Sequence, residues 1–197
     1  MNSIHRRGST NQSVNVTAPS LAVGQQHKGG ASTGSAGQPR VVQQGTWTPK
    51  GVAARLVYAA CSDAGCSLDG HVKTNQDSFM AVVPHPFGST ALFTVFDGHG
   101  EHGHLVSRQA VSEFGRLLHQ EQARRPDVRS ALASAFLEQD RSCSSSVDCS
   151  QSGTTAVTCF LRADQRTGAV GMHAAWVGDS RAVMAVSYTH LTLPTKA

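Results

Sequence analysis

Hydrophobic and polar positions divide the chain into a pattern-free start and a strongly patterned remainder. From about Val52 onward apolar runs and periodic stretches alternate with turn residues. Residues 55–61 (Arg-Leu-Val-Tyr-Ala-Ala-Cys) and 77–83 have the length and composition of strands. Residues 84–89, with prolines at 84 and 86, read as a turn, because proline ends a ladder. The run 91–96 (Ala-Leu-Phe-Thr-Val-Phe) reads as a buried third strand that stops at the turn dipeptide Asp97-Gly98. Two strands joined by a short Pro/Gly turn predict an antiparallel pair.

A period of three to four then takes over. Leu105, Val106, Ala110, Val111, Phe114, Leu117 and Leu118 predict an amphipathic helix over 102–122. Pro126-Asp127 opens a second helix, with Val128, Ala131, Leu132, Ala135 and Phe136 on one face. Residues 143–152 read as a polar, Ser-rich loop, 154–161 and 170–177 as strands around a turn at 164–168. Gly178-Asp179-Ser180 reads as a tight turn leading into 181–186. Cys159 and Trp176 are expected in the core.

Residues 1–50 are rich in Gly, Ser, Thr, Gln and Asn and lack sustained apolar periodicity. Such a segment buries too little apolar surface to offset its chain entropy, so a disordered tail is expected. The charge is uneven in the same way. Of the 17 Lys/Arg and 13 Asp/Glu, five basic and no acidic residues fall in 1–50, so the formal charge of +4 belongs to the tail. That argues against a nucleic-acid groove in the folded part. Five cysteines without regular spacing are a poor disulfide framework and suggest a reducing compartment. No apolar run approaches a membrane span, and the start lacks the apolar segment of a signal peptide, so a cytoplasmic or nuclear location is expected. Residues 187–197 break the style of the chain and resemble a translated sequencing-library adapter. They are expected not to be native, so that 51–186 would hold a domain cut short.

The string Phe96-Asp97-Gly98-His99-Gly100-Glu101 carries the chemistry. A carboxylate at the end of a buried strand is held rigidly, and flanking glycines let other atoms come close, which suits a hard metal ion. Taken alone, Asp97-Gly98 would be an ordinary turn. His99, His102 and His104 could be read as a transition-metal cluster, but the H-E-x-x-H spacing is absent.

Four segments in order resemble the type 2C serine/threonine protein phosphatases. They are 70–79 with Asn75-Gln76-Asp77-Ser78, 93–106 around Asp97-Gly98-His99-Gly100, Ser152-Gly153-Thr154-Thr155, and 175–183 with Gly178-Asp179-Ser180-Arg181. They cover roughly the first half of that family's catalytic domain. The resemblance implies an α+β fold, a four-layer α-β-β-α sandwich of two antiparallel sheets flanked by helices, here truncated. It implies hydrolysis of phosphoserine and phosphothreonine by metal-activated water, with two Mg²⁺ or Mn²⁺ ions and room for a third.

By motif match, Asp97 bridges the metals, the Gly98 carbonyl is a further ligand, Asp77 serves the first metal and Asp179 a third. Gln76 stands where many members have Glu and would be a weaker partner for a metal-bound water. His99 matches the general acid. Lys73 is the cation nearest the position of the family's phosphate-binding Arg, but lacks the bidentate fork. Gly153-Thr154-Thr155 reads as structural packing beside the site. The implied partner is a phosphoprotein, with no nucleic acid, no membrane and a monomeric complete protein. The family supplies two further aspartates downstream, and residues 184–197 contain no Asp or Glu. The chain as written is therefore expected to be inactive, and a non-catalytic, phosphatase-like binding module is the alternative.

Overall fold

The computed structural model describes residues 15–16, 41–84 and 88–185. Its strands are β1 (Asn15–Val16), β2 (Val41–Trp47), β3 (Leu56–Ser62), β4 (Asp77–Val82), β5 (Thr90–Gly100), β6 (Ser152–Thr154), β7 (Ala156–Asp164) and β8 (Ala169–Val177). The helices are α1 (Gly103–Arg124) and α2 (Val128–Ser146). The main sheet runs β1-β8-β7-β5-β4, with β6 beside the end of β5, and β2 and β3 form a second sheet. The pairings are antiparallel throughout. This is the expected α+β class with two antiparallel sheets. Among the described residues the helices cover one face of the main sheet and the β2–β3 hairpin covers part of the other.

Strand alternation builds the two faces. Leu92, Phe96 and Phe160 point toward the helices and join Val106, Ala110, Phe114, Leu118, Leu132 and Ala135 in one core. Phe114 sits between Phe96 and Phe136, with ring centroids 5.8 and 5.0 Å away. On the opposite face Ala91, Ala163 and Val170 pack with Trp47 and Val52, and Tyr58 lies against Phe93.

Four expectations change. β5 does not stop at Asp97-Gly98 but runs on to Gly100, because β6 pairs with Gly98–Gly100 and β4 still pairs at Asp97. α2 continues through Ser146 rather than giving way to a loop at 143, since Gln139 and Cys143 extend its buried stripe.

The third change concerns the polar start. β1 and β2 lie inside the segment expected to be disordered. β2 is held by seven in-register pairs with β3, by the 2.9 Å bond from Gln43 Nε2 to the Ala81 carbonyl, and by Trp47, 4% exposed. Backbone pairing plus one buried indole orders a stretch without apolar periodicity. The rest of 1–40 and residues 187–197 lie outside the described residues.

Last, Trp176 is 45% exposed rather than core. It stands opposite Val157, which stands opposite Val95 (also 45% exposed), on the end of the sheet face beyond the β2–β3 hairpin.

Candidate active site

The motif residues meet at one end of the main sheet. Asp77 opens β4 and lies directly opposite Asp97 on β5, so both carboxylates project from the same face. Burial, the charge of Asp97 and a hydrogen bond to Asp97 push the Asp77 carboxyl above its ordinary value. Two carboxylates share a small space here, and the causes of that shift include no balancing cation.

His99, two residues beyond Asp97, lies on the same exposed face and pairs with Gly153 of β6. A Cβ on Gly153 would come within 2.8 Å of His99 Nε2, so only glycine leaves the imidazole its seat. Gly98 is as confined. A Cβ there would stand 2.4 Å from the Gly103 carbonyl oxygen and 2.5 Å from that of Gln76. β5, the start of α1 and the approach to β4 therefore converge on one glycine.

Thr155 ties the remaining motif to this end. Its N–H donates to the Asp97 carbonyl at 2.9 Å. Its hydroxyl hydrogen-bonds Ser180, and Gly178 packs against its methyl group. Gly153-Thr154-Thr155 thus has the structural part expected of it. Asp179 sits in the exposed bend between Gly178 and Ser180. Among the described residues no group of three or more His, Cys, Asp or Glu side chains is placed to hold a metal. The structure brings Asp77, Asp97, Gly98 and His99 together and does not add Asp179, or the other histidines, to a three-ligand group. Lys73 lies in the exposed loop before β4, where its backbone N–H donates to the Gly65 carbonyl at 2.8 Å.

Three further residues support this end. Ser107 is fully buried on α1, and its hydroxyl donates to the Gln76 carbonyl at 2.6 Å and lies 3.0 Å from Ser78 Oγ. Ser152 Oγ accepts the His102 N–H at 2.8 Å and so satisfies the start of α1. Gln76 Nε2 donates to the Gly100 carbonyl at 2.8 Å. Ser152 and Gln76 stand in the motifs read from the sequence, but these bonds depend on the fold, whereas Ser107 shows in the sequence only as a hydroxyl one helical turn from Gly103 on the buried stripe.

The two side chains that stand directly opposite each other, Asp77 and Asp97, are both carboxyl oxygen donors. That chemistry fits a hard divalent cation, which would offset the repulsion between Asp77 and Asp97.

Comparison with known proteins gives one family. Residues 62–196 match the family model for Protein phosphatase 2C. The chain is 34% identical over 133 residues to "Probable protein phosphatase 2C 35" of Arabidopsis thaliana, covering 66% of this chain and 36% of that protein. It is 35% identical over 126 residues to "Probable protein phosphatase 2C 64" of Oryza sativa subsp. japonica, covering 58% and 28%. "Probable protein phosphatase 2C 72" of Arabidopsis thaliana is 31% identical over 131 residues, covering 60% and 38%. Among solved structures, the PPM Ser-Thr phosphatase MsPP from Mycobacterium smegmatis, in complex with cacodylate, aligns with a TM-score of 0.35 and 17% identity over 74% of this chain and 54% of its own. The chain thus spans well under half the length of these plant relatives. With a family model matched over 62–196 and the four motifs gathered at one end of one sheet, the chain belongs to the protein phosphatase 2C family.

Proposed function

We propose that the protein hydrolyses phosphoserine and phosphothreonine in other proteins, in a reaction that needs divalent cations. The observation that carries this reading is the in-register pair Asp77 and Asp97, two residues from His99 on the same exposed strand face. Asp97, Asp77 and the Gly98 carbonyl would hold Mg²⁺ or Mn²⁺, and Asp179 would serve a further, weaker ion. When bound, such ions supply positive charge to the phosphoryl oxygens and acidify a water.

The chain's own contribution is placement and proton transfer. His99 gives a proton to the seryl or threonyl oxygen as its bond to phosphorus breaks, and a residue fixed on a paired strand end does this without reorganising. Lys73 would meet the phosphate as a point charge. The exposed position of Asp97 and His99 suits a phosphorylated segment on the surface of a protein. The same reading assigns no nucleic-acid or membrane partner, a monomer and a cytoplasmic or nuclear location. No helix among the described residues is long and apolar enough to cross a membrane.

The test is phosphate release from a phosphoserine peptide by the full-length protein. Turnover should require Mn²⁺ or Mg²⁺, stop on chelation and vanish in Asp97→Ala. An intact, metal-supplied protein without phosphopeptide turnover would overturn the reading.

A further inference from the structure

Gln76 precedes Asp77, and its side chain turns toward the backbone of β5 rather than being left to solvent. Its Nε2 donates to the Gly100 carbonyl at 2.8 Å. Its Oε1 lies so near Gly103 that a Cβ on that glycine would come within 2.6 Å of it. Its own carbonyl accepts the Gly98 N–H at 3.2 Å and the Ser107 hydroxyl at 2.6 Å. One residue therefore bonds Gly98 and Gly100, lies against Gly103 at the start of α1 and is bonded in turn by Ser107 of α1; His99 projects from this stretch and Asp97 immediately precedes it.

We propose that Gln76 is a positioning residue whose amide clamps the turn between β5 and α1, rather than a group that faces the cations or their water. The proposal rests on the phosphatase reading for its catalytic consequence, but not for the clamp itself. The chemistry requires an amide. The Gly100 carbonyl is an acceptor, and Gln presents it with an N–H. A Glu of the same shape would present an ionised oxygen, setting acceptor against acceptor. A ligand role would predict the reverse preference, since an added negative charge strengthens the hold on a divalent cation.

Gln76→Glu therefore separates the two in opposite directions. In the full-length protein without metal, amide hydrogen exchange over residues 98–104 should quicken about tenfold, the scale of one hydrogen bond lost. Mn²⁺ affinity, measured by calorimetry, should fall by about the same factor. With phosphopeptide, kcat should drop while KM stays put, because the turn carries the proton donor. Gln76→Ala, which leaves the Gly100 carbonyl to water, should show the same changes at smaller size and serves if the Glu variant does not fold. Tighter Mn²⁺ binding by the Glu variant, or unchanged exchange over 98–104 in a folded variant, would overturn the clamp. The exchange measurement uses no substrate. A wild-type protein inert toward phosphopeptide would count against the phosphatase reading while leaving the clamp to be judged on exchange and Mn²⁺ affinity.

Discussion

Asp77 and Asp97 occupy directly opposed positions on β4 and β5, and the Asp77 carboxyl is held above its ordinary value of 3.8 by burial, then by the charge of Asp97 and a hydrogen bond to it. The folded, metal-free protein therefore binds that proton more tightly than the unfolded chain does. The stability this group contributes is full below the ordinary value and is lost as pH rises through the raised one. Thermal unfolding without metal should show a midpoint that declines over that window. Asp77→Asn should flatten the decline and raise the midpoint at neutral pH, by an amount that solvent screening limits to about 1 kcal/mol. Mn²⁺ should stabilise the wild type at neutral pH and much less near pH 4. A metal-free melting curve indifferent to Asp77→Asn would remove the repulsion from the account.

His99 is tested by leaving group. Replacing it with Gln roughly keeps the size and removes the imidazole. Hydrolysis of a phosphoserine peptide should slow about 10²-fold or more, the usual scale of acid–base assistance. An activated aryl phosphate, whose leaving group needs no proton, should lose far less. Equal losses on both substrates would take His99 out of the proton-donor role.

The start of the chain gives a stability prediction. Trp47 is 4% exposed against Val52, Ala91, Ala163 and Val170. Truncation to residue 41 should leave the melting temperature of the full-length protein nearly unchanged. Truncation to residue 51 removes β2 and this indole and should destabilise by about 3–5 kcal/mol, as should Trp47→Ala alone. Indistinguishable melting of the two truncations would show that β2 contributes nothing.

Glu121 is a buried carboxylate, 3% exposed, near the end of α1, with Arg124 Nη1 at 2.8 Å and Arg125 also bonded to it. Both arginines remain reachable by water, with side chains 67% and 43% exposed, so losing the acid does not strand them. Glu121→Gln should cost about 1–2 kcal/mol, below the figure for a fully buried pair. Denaturant midpoints of the two proteins decide it, and a change under about 0.3 kcal/mol would reduce the pair to surface decoration.

Much of the architecture could be read from the chain because the relevant signals are local. The stripe Val106, Ala110, Phe114, Leu118 determines α1 by its period, and Asp127 announces α2 and caps it through the Ser130 N–H. Phe96-Asp97-Gly98-His99-Gly100 points to the proposed chemistry because a carboxylate and an imidazole between glycines at a strand end are an unusual run of residue types. Tertiary structure decided what depends on partners far along the chain. β5 passes through an Asp-Gly dipeptide because β6, more than fifty residues later, supplies a ladder there. β2 exists because β3 offers an edge and the core offers Trp47 a seat, neither visible in a polar stretch. Trp176 stays half exposed because burial belongs to the surface laid over a strand, and the β2–β3 hairpin does not reach that end. The amide of Gln76 acquires its meaning only when β5 folds back beside it. Periodicity reports the face a residue presents, while its contacts depend on what the rest of the chain brings to that face.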